Sequence, residues 1–393
     1  MPVAQVPCTT TLGSGANVAA AIASAPAGSG ICLGSGSYPQ ISVSGANPSS
    51  YVTIEPAPGA SPTVAGIQIS NSSFLRFQQM NLTSGVNMTN SGHDFQFLDN
   101  NIGPATYGIV LSGSPGPITN VVIQGNAIHD IDFSGSSAGY AGGQGVTLYY
   151  GQNVLVSHNT FWANSWHYIQ CGGCSGLTVD HNLFRCPCNQ HAGAHLNVLQ
   201  IWQGGSNDSF TNNIVVGNPN QVGTSGEICG GCVLLENGAG GGTASDTFSN
   251  YDISNNLFVD AGGSTPIQVQ TTSDGTVSNN TIADGFQYGA FLGFNSVTGV
   301  SSTNLTSQYN VIAGQVGNGQ AYAYGCSSGC VSDHNVADSH GGTSGTGSVN
   351  GWKESWQTTT WNPASGSAPP AGYYRPNGLA SSYGYQGVIG PWG

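Results

Sequence analysis

At 393 residues the chain has room for two or three ordinary domains, yet its composition runs even from end to end with no charged linker, which favours one elongated domain. Charged residues make up only 5% and the net charge is −13, with Lys353, Arg76, Arg185 and Arg375 as the whole cationic complement. A nucleic acid, which demands a basic footprint, is excluded; a polyanionic sugar would need a bound cation or very few arginines, so a neutral glycan is the easier partner.

The first predicted element is a short helix over 17–25, NVAAAIASA, with Val18 and Ile22 on one face. Cys8 and Cys32 flank it. They open a series of five close cysteine pairs that continues with Cys171 and Cys174, Cys186 and Cys188, Cys229 and Cys232, and Cys326 and Cys330. An even number in a lysine-poor, Asn/Ser/Thr-rich chain predicts an oxidised, secreted protein. Exchange of partners between neighbouring loops stays open. Two C-G-G-C segments with histidines nearby also permit zinc, although the spacing is not that of a finger. No apolar run approaches the ~20 residues of a membrane span. No signal peptide is recognisable, and a mature chain behind an added Met1 is expected.

The rest of the chain carries a degenerate repeat: apolar, any, apolar, any, any, Asn, any, apolar. It reads Phe95, Phe97, Asn100, Ile102, then Val121, Ile123, Asn126, Ile128, then Val154, Val156, Asn159, Phe161, then Leu177, Val179, Asn182, Phe184. Later copies centre on Asn213, Asn256, Asn280, Asn310 and Asn335, and an earlier one has Met80 in the Asn slot. Successive centres lie 20, 26, 33, 23, 31, 43, 24, 30 and 25 residues apart. Repeats of this length are stacked units that bury a core only together, and short period-2 strands broken by Gly and Asn select a β-solenoid. A bare coil takes about 20 to 25 residues, so the excess must bulge outward as loops. The Asn is placed at a tight bend, where it tolerates left-handed angles and can bond to the same amide in the next coil.

With these features the chain resembles the pectin-lyase-like superfamily of right-handed parallel β-helices over essentially its whole length. The stretch 8–38 resembles that group's capping strand, short helix and G-x-Y strand (Gly36, Ser37, Tyr38), and GYYRPNGLASSYGYQG at 372–387 resembles its closing segment. The resemblance implies an all-β, single-stranded right-handed parallel β-helix (solenoid) of about 10 rungs with a short N-terminal capping helix. The expected organisation is an N-terminal cap over 1–45, the β-helix over 46–340 and a closing segment over 341–393. The superfamily holds lyases, hydrolases, epimerases and non-catalytic adhesins, so fold alone does not give function.

If the Asn bend joins second and third strands, first strands fall at 107–111, 145–150, 167–171, 196–202, 233–237, 267–271 and 290–294. In the resembled superfamily their face usually holds the substrate groove. Long loops at 129–144, 185–195 and 217–231 enter it over the middle rungs, as walls around a site would. The segment HAGAHLNVLQIW supplies His191, His195, Asn197, Gln200 and Trp202, and resembles the H-x-D-x-x-Q segment of some carbohydrate-related β-helices. Asn197 departs from it, with an amide where a carboxylate is usual.

Carboxylates are scarce. Asp130 and Asp132 fall in the first loop, Glu227 in the third, and Glu236 on a first strand beside Asn237. Glycoside hydrolysis needs two carboxyl groups, roughly 5 Å apart for retention and 6.5 to 9.5 Å for inversion, and rungs ~4.8 Å apart can supply either. The expectation is therefore a secreted, monomeric glycoside hydrolase acting on a neutral or weakly charged polysaccharide or oligosaccharide. Glu236 and Glu227 are the favoured pair, with Asp130 and Asp132 in reserve. Sugar would be bound by His191, His195, Asn197, Gln200, Trp202, Tyr168, His167, Gln170, Tyr149, Arg185 and Asn237, with Trp162, Trp166 and Tyr150 as further stacking aromatics. One alternative is a non-catalytic glycan-binding adhesin. Another is a uronate lyase or epimerase with Arg185, His191, His195, Tyr149 and Tyr168 as candidates for the base and for neutralising the uronate carboxylate. No resident cofactor is expected, and calcium enters only under that reading, on Asp130, Asp132 and Asn side chains. Sequons at Asn71, Asn81, Asn87, Asn207, Asn279 and Asn304 occur as often as chance gives in such a chain.

Overall fold

The computed structural model describes residues 3–114, 116–132, 143–185, 197–217, 231–236, 247–259, 265–270, 272–283, 290–294, 302–313, 322–324 and 326–337. They form two compact units, Met1–Thr178 and Val179–Gly393. Each is built from coils of right-handed parallel β-helix with three strands to the coil. The proposed closing segment 341–393 lies outside the described residues.

The first unit opens with the strand Cys8–Leu12, tied by the Cys8–Cys32 disulfide to the parallel strand Gly30–Leu33. Between them the helix Val18–Ser24 forms where expected. Asn17 accepts from the Ala20 amide at 3.0 Å and caps its start, and Ala25 leaves in extended geometry before Pro26, which cannot continue a helix. Val18 and Ile22 are its buried face, laid on the strand Ile41–Ser44.

Alternation then builds the coils. In the first-strand row Ile41, Ile67, Val86, Ile109, Val146 and Ile169 lie in register. Ile54, Phe77, Phe97, Ile123 and Val156 do the same in the second row, and Val64, Leu82, Ile102, Ile128 and Phe161 in the third. All of these inward side chains are buried, and each is worth about 1.5–3 kcal/mol against exposure. Like sits on like, so the Phe77 and Phe97 rings stack at 5.9 Å. In the second unit Phe184, Phe210 and Phe258 stack in turn at 6.0 and 6.3 Å.

The asparagine column is present in both units. Asn100 Nδ2 donates to Asn126 Oδ1 and Asn126 Nδ2 to Asn159 Oδ1, both at 3.0 Å. In the second unit Asn182, Asn213, Asn256, Asn280, Asn310 and Asn335 continue the pattern at 3.0–3.2 Å. Each amide also donates to a backbone carbonyl, and each Oδ1 also accepts a backbone N–H, so a fully buried polar side chain is satisfied. Met80 holds the slot in the first unit, where its backbone N–H donates to Asn100 Oδ1.

One expectation is corrected here. The ladder asparagine is not itself left-handed; the residue before it is. Asp99, Gly125, His158, His181, Asn212, Asn255, Asn279, Tyr309 and His334 all have positive φ. The preceding residue makes the turn, and that turn aims the asparagine inward. A second difference concerns corners. The strands Ile169–Asp180 and Asn197–Ser206 run on from first to second row without interruption, bending at Gly173, Gly176 and Gly204, all of positive φ.

Candidate functional site

In the second unit the first-strand face is formed by the parallel strands Asn197–Ser206, Gly231–Glu236 and Thr265–Gln270. Leu199, Ile201, Val233, Leu235, Ile267 and Val269 point inward and are buried, so the strand period sends Gln200, Trp202, Leu234, Glu236 and Gln268 outward. Gln200 pairs with Leu234 and Trp202 with Glu236. Across that diagonal, Gln200 Nε2 donates to Glu236 Oε2 at 2.8 Å. Among the described residues nothing bonds to the other oxygen, Oε1, and it is not buried. A carboxylate fixed through one oxygen and open through the other is suited to accept a proton.

The remaining expected residues of this unit fall in several places. Asn197 starts its strand and is buried. Arg185 ends the third-row strand Leu183–Arg185, half-buried, and burial pulls its guanidinium pKa below the ordinary value. His191, His195, Glu227, Asn237, Cys186, Cys188 and Cys229 lie outside the described residues.

In the first unit Gln170 lies in register with Thr147, and Tyr149 with Ser112 and Gly172, on the outer side of the first-strand row. The other candidates separate from them. Tyr168 is buried with its ring edge-on to Phe161 at 6.0 Å, so it packs the interior and offers no platform to a sugar. His167 is buried as well. Asp130 is in the strand Ala127–Ile131, not in a loop, with Oδ2 2.6 Å from His129 Nδ1. His129 stacks on Trp162 at 4.4 Å, and these two belong to the third-strand row. Asp132 is buried, its backbone N–H on Ala105 O. The expected cluster of aromatics and acids is thus distributed over different rows, because parity along each strand, not nearness in sequence, decides which side chains share a face.

Two features escaped sequence reading. One is a second column of left-handed residues six positions ahead of each ladder position: Phe74, Asp94, Asn120, Asn153 and Gly176 in the first unit, Asn207, Asn250, Asp274, Asn304 and Gly329 in the second unit. Asn250 Nδ2 donates to Asn207 Oδ1 at 2.7 Å and Asn304 Nδ2 to Asp274 Oδ1 at 2.8 Å, on the exposed side. Its signal was available, since these spacings repeat those of the inner ladder. The other is a set of adjacent His–Asp pairs, His93 with Asp94, His129 with Asp130 and His181 with Asp180, at 2.6–2.7 Å. Burial raises and hydrogen bonds from Asn212, Thr211 and His181 lower the Asp180 pKa, and the bonds prevail.

Metal fits poorly. Among the described residues no three His, Cys, Asp or Glu side chains converge on a cation position, and Asp130, the expected calcium ligand, is engaged by His129. Cys171 and Cys174 form a disulfide, with Cα atoms 6.0 Å apart, and leave no thiolate for zinc. Cys326 and Cys330 are bonded too.

The family described as right-handed beta helix region matches residues 61–258. No curated protein matches the sequence. Among solved structures, the PL6 family alginate lyase AlyGC superposes with a TM-score of 0.53 at 13% identity, over 98% of this chain and 57% of that one. An alginate lyase from Paenibacillus sp. str. FPU-7 gives 0.47 at 12% identity, over 77% of this chain and 99% of that one. The A-module of the mannuronan C-5 epimerase AlgE4 of Azotobacter vinelandii gives 0.43 at 14%, over 87% and 99%. At 13% identity the likeness to AlyGC is one of fold alone.

Proposed function

The chain belongs to the right-handed β-helix family, and on that premise we propose that it is a carbohydrate-active enzyme that transfers a proton at a uronate residue of a polysaccharide, with Glu236 as the base. The observation that carries this reading is the Glu236 carboxylate, anchored by Gln200 through Oε2 and open at Oε1 on an outward first-strand face. Elimination and epimerisation both begin with removal of the hydrogen beside the sugar carboxylate, a task for one positioned base. Elimination then breaks the bond to the neighbouring glycosidic oxygen, which leaves as a hydroxyl with a proton from Glu236 or water, and forms a carbon–carbon double bond. Epimerisation returns a proton from water to the opposite face of the same carbon. Trp202 beside Glu236 offers an apolar ring to a sugar.

Hydrolysis, the first expectation, needs a second carboxyl group. Among the described first-row strands of this unit Glu236 is the one carboxylate; Glu227, its expected partner, lies outside the described residues. The name of AlyGC, an alginate lyase of this fold, supports a uronate as substrate. No step is routed through a metal. Three disulfides support an oxidising compartment, extracellular or periplasmic, and no described helix is long and apolar enough to cross a membrane.

The test is incubation with uronate and neutral polysaccharides, each with and without calcium. Ultraviolet absorbance from an unsaturated uronate marks elimination, and an altered epimer ratio in the proton spectrum marks epimerisation; either supports the reading. New reducing ends without that absorbance would replace it with hydrolysis, and binding without product would replace it with an adhesin.

A further inference from the structure

Arg76 stands on the outer side of the second-strand row of the first unit, in the strand Ser73–Gln78, in register with Thr53 of the preceding coil and Gln96 of the next. Its Nε donates to Gln96 Oε1 at 2.6 Å, and its guanidinium carbon lies 5.0 Å from the centre of the Tyr51 ring. Gln96 and Tyr51 thus brace the guanidinium from two sides. Among the described residues no carboxylate forms an ion pair with Arg76, and its two terminal nitrogens have no acceptor and are not buried. In a chain with 17 acidic and 4 basic residues, a braced guanidinium with an open bidentate edge needs an explanation.

Phe74 gives an independent one. It occupies the left-handed slot, φ +53, that Asp, Asn or Gly fills in every other described coil. An aromatic residue is strained there, and strain of this kind collects at functional surfaces. The conformation sets Phe74 edge-on between Tyr51 at 5.7 Å and His93 at 5.4 Å, on the side where Arg76 is displayed.

We propose that Arg76, Tyr51 and Phe74 form a second saccharide subsite that takes a uronate residue. The two terminal nitrogens would hold the sugar carboxylate in the parallel two-bond geometry that guanidinium favours, and the ring of Phe74 would meet the apolar side of the sugar. Two carboxylates temper the attraction. Asp94 is engaged by His93 at 2.7 Å, and Glu55 is buried under Val6 and Gln78, which donate to it at 2.8 and 2.6 Å. The choice of a uronate rests on the proposed substrate class; the existence of an anion-binding edge does not.

Specific labelling of arginine side chains tests this on the full chain. There are three arginines, and Arg76→Lys assigns the Arg76 Nε signal. Titration with an oligouronate should move that signal, whereas a neutral oligosaccharide of equal length should leave it in place. Arg76→Lys should weaken binding measured at this subsite about tenfold or more, and Phe74→Asn should weaken it with the fold unchanged by circular dichroism. Glu236→Gln should leave the Arg76 response intact, so loss of turnover there and loss of binding here are separable. An Arg76 signal unmoved by saturating oligouronate, or moved equally by the neutral sugar, overturns the proposal.

Discussion

Asn213 and Asn256 stand 43 residues apart in the chain, yet Asn213 Nδ2 donates to Asn256 Oδ1 at 3.2 Å. That contact makes an irregular repeat regular in space. Whatever length of loop separates two coils, the amide of one returns to the amide of the next.

The first prediction concerns this column. Asn256→Leu removes the acceptor for the Asn213 backbone N–H and side chain, and the donor to Phe210 O and Asn280 Oδ1. All are buried, and each orphaned group costs about 1–3 kcal/mol. Urea unfolding should show a loss of about 3–5 kcal/mol. Asn250→Ala, in the exposed outer column, should stay within about 1 kcal/mol. Equal losses from the two variants would contradict a ladder whose value lies in burial.

A glycine gives the second. A Cβ on Gly145 would lie 2.6 Å from both Asn164 Nδ2 and Tyr168 O, and 3.1 Å from Phe161 Cδ1. Gly145→Ala should therefore destabilise the first unit by about 1–3 kcal/mol. Gly13→Ala meets nothing within 4 Å and should be neutral or slightly stabilising in the same thermal denaturation.

The coils were legible in the sequence because the constraint that makes them is periodic. Val121, Ile123, Asn126 and Ile128 must recur, since each touches its own counterpart in the neighbouring coil. Gln200, Trp202 and Glu236 could be placed outward for the same reason, by parity against Leu199, Ile201 and Leu235. Tyr168 and Trp162 could not. Their composition suits a sugar platform and a core equally, and only the path of the chain through the corners decides between them. Strand ends at the corners carry no strong local signal when a glycine can bend a continuous strand, as Gly173 and Gly204 do. The left-handed residue was assigned one position late because His, Asp, Gly, Asn and Tyr all fill it, so no single residue type marks it.

The third prediction uses two acids of opposite sign. Burial raises the Glu55 pKa above its ordinary value of 4.5, against hydrogen bonds from Gln78 and Val6 that lower it. The folded state then holds this proton more tightly than the unfolded one. Its contribution is full below the unfolded pKa and is lost as pH rises through the folded value. Asp180 is displaced downward from 3.8, so its contribution is present above the unfolded pKa and is lost as pH falls through the folded one. The stability difference between wild type and Glu55→Gln should shrink as pH rises from the ordinary carboxylate range. The difference for Asp180→Asn should shrink as pH falls below it. Denaturation midpoints across a pH series check both, and parallel slopes would refute the assignment.

The last prediction separates Glu236 from the scaffold that holds it. Glu236→Gln keeps the length and the outward position of the side chain but cannot take a proton. Turnover on the uronate substrate should fall about 10²–10⁴-fold with little change in KM, and the melting temperature should hold, because the group is half-buried and off the core. Gln200→Leu acts differently. It leaves the carboxylate in place but removes the amide bound to Oε2 at 2.8 Å, so the base loses its anchor and kcat should fall about tenfold or more with little change in KM. Residual turnover should survive in Gln200→Leu, and the double variant with Glu236→Gln should be no slower than Glu236→Gln alone. A base acting alone would leave kcat unmoved in Gln200→Leu. A purely structural Glu236–Gln200 pair would lower the melting temperature in both variants and leave the kcat of the folded protein unchanged.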